Sequence, residues 1–533
     1  MIHRRTRFAI TAALALSLQG CAPGVEASAA PAGSSSSAAP VVLDGDFGEW
    51  EGVAPAVVDP ADAPAPYADV REVQVRHDAA GMYLSIRLER EVSLQGLPGT
   101  LVLMLDWTGA AEGWLAHGMP GVDAALEFSP AFGPGGSLGG IGVRMMDSAG
   151  SAPGVATANL AGVIAAPTHA ASRFEVRVGR GGPIPTDVPM TARMVALDRG
   201  GAVVDEVDAF AIRPGRPARR PTPPGSGAAD PLARARGTDL RMVSWNVGRE
   251  DLFQRPEAFG AILRALAPDL LVLDEVAGGH SVDEVEALLN RGVPGERPWR
   301  AVYSVSGGSQ RGVIATRGAA PRVVAPFQGI VPYPDSLLAM ALTSASATAR
   351  QAAEQRMAEG VPTVGAVVEI GGRTLLAVTM DLEAGGAPGG TADRLRRMEA
   401  WAVRGATENA LRTAGALDGW VMAGDVNLVG TRDPLEILSH TSAASHGLGI
   451  AFPLQLDGAS PATWEDLADR FTPGRLDYVF YPRSFLTVAG GFVFSSDDLS
   501  ARWLERHRLR AETSRATDHL PVVTDLRWVE RGE

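Results

Sequence analysis

The chain has 533 residues, 46% hydrophobic and 20% charged, proportions that exclude wholesale disorder and a polytopic membrane protein. Its length suits two or three domains. All 48 basic residues are arginine, which excludes any P-loop or Schiff-base lysine mechanism, and a formal net charge of −13 argues against tight non-specific binding to nucleic acid.

At the N-terminus Arg4, Arg5 and Arg7 precede the apolar run FAITAALALSL, and the segment LQGC ends at Cys21. This is the pattern of a signal peptide over residues 1–20. The run is about half the ~20 apolar residues that a membrane-spanning helix needs. A small residue directly before the chain's single cysteine resembles a bacterial lipobox. That resemblance implies export, lipidation of Cys21 and anchoring in the cell envelope, at the outer membrane where there is one because Ala22 follows the cysteine. Residues 21–40 are too rich in Ala, Ser and Pro to bury a core and are expected to form a flexible tether. One cysteine also excludes a disulfide framework and a CxxC redox or zinc module.

Residues 41–212 contain short alternating runs, VREVQVRHD, GMYLSIRLER, TLVLMLDW and SRFEVRVGR, separated by glycine and proline. Period two with such punctuation indicates an antiparallel β-sandwich. Asp44, Gly45 and Trp50 in the opening motif, with Asp69, Asp78, Tyr83 and Leu84 in the following paired strands, resemble the family-9-like carbohydrate-binding modules and the related DOMON-type sandwiches. The resemblance implies a glycan as ligand. Trp50 and Trp107 are the aromatic residues able to stack on a sugar, although sandwich cores and rims also take large aromatics, and packing is the reading weighted more heavily for both.

Residues 213–237, RPGRPARRPTPPGSGAADPLARARG, lack apolar periodicity and are expected to be a semi-extended linker. Beyond it, from 238 to 533, strands and helices alternate. DLRMVSWNV is a strand; Phe259, Ile262, Leu263 and Leu266 fall at i, i+3, i+4 and i+7 on a helix; LLVLDEV returns as a strand; a helical stretch over 391–412 leads to the apolar WVMA and then GDVN. This indicates an α/β protein with its chemistry at strand ends.

Polar residues interrupt those apolar runs at recurring points: Asn246, Glu275, Asp425, Asn427, Asp477, Asp518 and His519. A single carboxylate at a strand end is ordinarily a turn residue or cap. The ordered set SWNV, LDEV, GDVN, RLDYVF and TDHLP, however, resembles the endonuclease/exonuclease/phosphatase superfamily, the DNase I-like fold. The resemblance implies a four-layer α/β sandwich, preceded here by the all-β sandwich domain. Hydrolysis of a phosphate ester needs a hard cation on the phosphoryl oxygens, an aligned water and a proton acceptor. Carboxylate and amide oxygens suit Mg²⁺, with Mn²⁺ or Ca²⁺ as alternatives, and disfavour zinc. Glu275 is the first expected metal ligand, with Asn246 and Asp518 assisting. From the family, Asp425 is expected to orient or deprotonate the water and Asn427 to hold a phosphate oxygen. His519 is expected to act as base or phosphate contact, with Asp477 orienting its ring.

In LLAVTMDLEAGG the chain places Asp381 where many members of that superfamily have a histidine at the phosphate or leaving group. An aspartate cannot bring positive charge there, so Asp381 is expected to add a second metal site or to weaken leaving-group departure. Arg311, in SGGSQRGVIATR, is the nearest sequence candidate for the missing charge, against the plainer reading of a solvated surface arginine. The resulting expectation is a metal-dependent phosphoesterase on a lipid-anchored envelope protein, acting on a phosphate-ester substrate with no obligate nucleic-acid partner. The rival readings are a catalytically inactive glycan-binding surface lipoprotein, and an adhesin or assembly factor whose two domains are both interaction modules.

Overall fold

Alternating apolar residues on short strands need a second apolar surface to cover them, and the N-terminal half supplies it with two facing antiparallel sheets. The computed structural model describes residues 40–65, 67–110, 114–131, 138–146, 154–214, 220–336, 347–441 and 448–530. The expected signal peptide, Cys21 and residues 22–39 of the tether lie outside them. Among the described residues no helix is long and apolar enough to cross a membrane.

The first sheet runs in the order Val57–Val58, Val70–His77, Gly81–Val92, Ala171–Gly179 and Ile164–Ala166. The second is centred on Met190–Leu197, Thr100–Asp106, Ala124–Phe128 and Ile141–Met145. Between them Leu84, Ile86 and Phe174 meet Leu103, Leu105, Leu126 and Phe128 in one fully buried core. In Gly81–Val92 the alternating partner Tyr83 is buried too, because the segment carrying Val41, Leu43 and Trp50 folds over the outer face of that sheet. Trp50 is 1% exposed, and its indole N–H donates to Glu175 Oε1 at 2.8 Å. Its ring is therefore a structural plug with no face open to a sugar, and Trp107 is half-buried against the sandwich core.

Burial pushes the Glu175 carboxyl up to about 8, against the opposing donation from Trp50. The strand pair around it thus keeps a neutral acid in its interior near pH 7.

In the C-terminal half two six-stranded sheets pack face to face. One runs Trp299–Tyr303, Gln310–Arg317, Leu270–Ala277, Leu240–Arg249, Val522–Trp528, Leu486–Val493. The other runs Arg322–Val323, Gly365–Ile370, Arg373–Asp381, Gly419–Asp425, Asp477–Pro482, Leu448–Ala451. Met242, Leu270, Val272 and Ile314 of the first sheet pack with Leu376, Val378, Val421 and Val479 of the second in the inter-sheet core. Helices Pro256–Leu266 and Val282–Gly292 cover the outer face of the first sheet, with Phe259, Ile262, Leu263 and Leu266 buried as their spacing predicts. Helix Thr391–Thr413 lies against the second sheet's own core residues through Leu395, Ala400 and Val403. Two stacked sheets flanked by helices make the expected four-layer α/β arrangement, behind an all-β sandwich.

The described part of the proline and arginine segment does not run free between the halves. Arg220 donates to Asp78 Oδ2 at 2.5 Å and to Tyr83 Oη at 2.9 Å on the sandwich, and to the Gly458 carbonyl at 3.1 Å on the α/β half. A half-buried guanidinium has five donors to satisfy, and both halves supply acceptors, so Arg220 pins this part of the segment to each of them.

Candidate functional site

Each sheet of the C-terminal half is antiparallel except for one parallel pair: Leu240–Arg249 with Leu270–Ala277, and Arg373–Asp381 with Gly419–Asp425. Parallel neighbours need a crossover, and a helix supplies each, Pro256–Leu266 in the first and Thr391–Thr413 in the second. Both pairs therefore deliver their C-terminal ends together. Asn246 lies in register with Asp274, Asp381 with Asp425, and Asp425 in turn with Asp477. Gly424 is needed for the last of these strands to approach its neighbour: its φ is +142°, and a Cβ there would stand 1.9 Å from the Met380 carbonyl oxygen.

The end of Leu270–Ala277 is irregular. Pairing shifts register between Leu273 and Val276 on one side and between Asn246 and Arg249 on the other, and Glu275 has φ +51°. A bulge of this kind re-aims a side chain, and a left-handed glutamate is a strained conformation that the surrounding pairing must hold. As a result two consecutive acids both serve the site. Asp274, 1% exposed, accepts from the Asp425 backbone N–H at 3.2 Å, while Glu275 lines the open cleft with Arg249 Nε 3.5 Å from its carboxylate. Strict alternation puts these neighbours on opposite faces, which is why Asp274 is not among the residues singled out from the sequence.

His519 stands at the centre. The strand residue Trp245, stacked on Phe259, donates its indole N–H to the His519 carbonyl at 2.9 Å and so fixes the backbone. The ring's Nδ1 is 2.9 Å from Asp477 Oδ2 and its Nε2 is 3.6 Å from Asp425 Oδ2. Asn246 Nδ2 reaches the same Asp425 oxygen at 3.4 Å, and Asp425 Oδ1 accepts from the Asn427 N–H at 2.7 Å. Asn427, at φ +49°, donates Nδ2 to the Leu382 carbonyl at 2.8 Å.

Burial opposes charge on His519, but the carboxylates of Asp477 and Asp425 outweigh it and hold the imidazolium well above its ordinary value. Burial, set against the pull of His519 and reinforced by Asp477, pushes Asp425 up to about 7. Burial and the repulsion of Asp477 and Asp425 raise Asp274, and burial with Glu275 and Asp425 raises Asp381.

Four buried aspartates, Asp274, Asp381, Asp425 and Asp477, thus share the interior with Glu275 at its edge. The Oδ1 atoms of Asp274 and Asp477 are buried and have no hydrogen-bond partner. Excess buried negative charge with unpaired oxygens, and an all-oxygen donor set, fit a hard divalent cation. Among the described residues, the carboxylate trios whose oxygens lie within 4.8 Å of one another are in the sandwich half: Asp44, Glu49 and Glu175, and Asp59, Asp62 and Asp205.

Glu275, Asp425, Asn427, Asp518 and His519 line one cleft, and Asp381 lines a neighbouring cavity that shares Glu275 and Asn427 with it. Asn246 and Asp477 stand behind the lining, touching Asp425 and His519. Asp518 is exposed and accepts from the Trp464 indole N–H at 2.9 Å. Arg311 is not brought in: it donates to the Ser304 carbonyl at 3.1 Å and lines neither cavity. Sequence reasoning also misses Arg396 and Asp393, both 0% exposed. Arg396 donates to the Glu383 carbonyl at 2.7 Å, and Asp393 accepts from the Gly389 N–H at 2.8 Å, so together they brace the glycine-rich loop of the cleft. Their polar positions on an otherwise amphipathic helix are the one signal available.

The profile of the Endonuclease/Exonuclease/phosphatase family matches residues 243–519, more than half of the chain. Similar solved structures include the human Nocturnin catalytic domain at 17% identity, covering 56% of this chain and 97% of that one with a TM-score of 0.35. An AP endonuclease from Archaeoglobus fulgidus matches at 13% identity, with 54% and 98% covered and a TM-score of 0.34. An endonuclease/exonuclease/phosphatase family protein from Leptotrichia buccalis matches at 12%, with 54% and 99% covered and a TM-score of 0.33. No curated protein matches the chain.

The geometry makes the His519 proton depend on Asp477. Replacing Asp477 by asparagine removes one of the carboxylates that offset burial and leaves Asp425 and Asp518, so the His519 pKa is expected to fall, moving proton loss toward acid in a histidine NMR titration. The native value lies above the ordinary 6.5. The ion pair therefore stabilises the wild-type fold fully below pH 6.5, and that contribution fades as pH rises through the native value. An unmoved titration in Asp477→Asn would show that the carboxylate does not hold the proton.

Proposed function

The chain belongs to the endonuclease/exonuclease/phosphatase family, whose members are in general metal-dependent hydrolases of phosphate esters, and from that premise we propose that it hydrolyses phosphate esters by attack of water on phosphorus. The observation that carries the reading is the joining of Asp425, His519 and Asp477 at the cleft, with His519 held 2.9 Å from one carboxylate and 3.6 Å from the other. Asp425 accepts the proton of the attacking water, a task for which a carboxyl pushed up to about 7 is suited. The water oxygen bonds to phosphorus, the bond to the leaving oxygen breaks, and the electron pair departs with that oxygen. His519 presents Nε2–H as a positive donor to the phosphoryl group, its other nitrogen fixed by Asp477. Asn427 spends one amide hydrogen on the Leu382 carbonyl and keeps the second for a phosphate oxygen. Glu275, Asn246 and Asp518 would hold the divalent cation, Mg²⁺ first among the choices, which when bound supplies positive charge to the phosphoryl oxygens.

The rival reading, an inactive glycan-binding protein, loses support with Trp50, whose ring is buried against the outer face of the sandwich's first sheet. The sequence up to Cys21 supports a further part of the proposal, that the protein is exported and anchored by a lipid on that cysteine. Expressed in a bacterial host, Cys21→Ser is expected to leave the membrane fraction, and retention there would contradict lipidation. With bis-p-nitrophenyl phosphate and Mg²⁺, Asp425→Asn and His519→Ala are each expected to lower turnover by about 10²–10⁴-fold. Chelator should abolish wild-type turnover. Near wild-type rates in either folded variant would remove that residue from the mechanism.

A further inference from the structure

The cleft that holds Asp425 and His519 is bounded on one side by the α/β half and on the other by the β-sandwich. Gln95, Leu97, Pro98, Leu138, Thr168 and Arg199 of the sandwich line it with Glu275, Asp425 and His519. The cavity measures about 1160 Å³, somewhat above the ~300–1,000 Å³ of small-molecule sites. We propose that the sandwich is a wall of the substrate cleft and selects phosphate esters that carry an apolar organic group. The inference rests on the hydrolase reading and adds the substrate class to it.

The wall is built as one piece with the catalytic half. Gln95 Oε1 accepts from the Thr472 N–H at 2.9 Å, and Asn159 Nδ2 donates to the carbonyls of Asp466, Asp469 and Phe471 at 2.9, 3.0 and 3.2 Å. The Ile141 N–H donates to the Arg470 carbonyl at 2.9 Å. At the same junction Gly140 has φ +74°, and a Cβ would stand 2.2 Å from that carbonyl oxygen. Thr168 Oγ1 donates to the Leu428 carbonyl at 2.7 Å, one residue beyond Asn427. The sandwich thereby fixes the 464–474 loop, which carries Trp464 and Phe471 into the cleft. That loop also reaches the catalytic centre directly: Trp464 donates its indole N–H to Asp518, and the Glu465 N–H donates to the Asp518 carbonyl at 2.8 Å.

The chemistry of the wall chooses the substrate. Leu97, Pro98 and Leu138 face the same space as Trp464, Phe471 and Leu476, an apolar and aromatic lining suited to an organic substituent on the phosphate. Among the described residues lining the cleft, Arg199 is the one arginine. A duplex nucleic acid draws its affinity from many phosphate contacts made by basic side chains along a track, and this cleft offers no such track.

The test uses the full chain and two aryl phosphodiesters that differ in one substituent, bis-p-nitrophenyl phosphate and methyl p-nitrophenyl phosphate. The ratio of their kcat/KM values is expected to fall about tenfold in Phe471→Ala and in Pro98→Asp, with melting temperature and circular dichroism showing that each variant is folded. Phe471 is 37% exposed and Pro98 is exposed, so neither change opens the core. An unchanged ratio in the folded variants overturns the proposal, as does cleavage of a duplex oligonucleotide by the wild type as fast as of the diaryl ester. Failure of the wild type to release nitrophenolate from either ester defeats the hydrolase reading itself, and the proposal with it.

Discussion

The burial of several carboxylates around one imidazolium governs the C-terminal half of this molecule. Charged groups taken out of water cost several kcal/mol each unless they are paired, and here Asp274, Asp381, Asp425 and Asp477 have one buried histidine among them. The pairing of His519 with Asp477 and Asp425 offsets part of that cost, and backbone N–H groups of Asp425 and Asn427 offset more. What is left is a raised proton affinity on Asp274, Asp381 and Asp425 and two unpaired buried oxygens. Such an arrangement is unfavourable for stability alone and becomes intelligible as a place where a cation and a phosphate meet.

The fold is organised to pay for that concentration of charge. Two parallel strand pairs, each with its own crossover helix, bring acids from distant parts of the sequence to one edge where the sheets face each other. Behind them lie Leu270, Val272, Val378 and Val421, fully buried, so the acids stand on a rigid apolar support. The sandwich half adds the second boundary of the cleft and, through Gln95 and Asn159, holds the loop that carries Trp464.

Much of this was legible in the sequence because the informative features are local. The apolar spacing of Phe259, Ile262, Leu263 and Leu266 matches the buried face of their helix, and SWNV, LDEV and GDVN each place a polar residue at the end of an apolar run. Asp274 was not legible, because the bulge at Glu275 depends on tertiary pairing that a period-two pattern does not encode. The bracing by Arg396 and Asp393 was hidden for a related reason, since their partners Glu383 and Gly389 sit on a loop with no pattern of its own. The sandwich wall is the least local feature. Gln95 and Thr472 are 377 positions apart, and nothing near either residue announces the other. Residues 213–237 read as a semi-extended linker, and nothing in that stretch announces that Arg220, half-buried, joins Asp78 on one half to the Gly458 carbonyl on the other.

The central claim is that the buried acids of the cleft are matched to a divalent cation, and metal-dependent stabilisation tests it most directly. Mg²⁺ that binds the folded chain alone stabilises it by about 2.7 kcal/mol at a hundredfold excess over its Kd. The account predicts a rise in melting temperature on adding Mg²⁺ at constant ionic strength, lost in Glu275→Gln. No rise in the wild type, or a rise that survives Glu275→Gln unchanged, would contradict it.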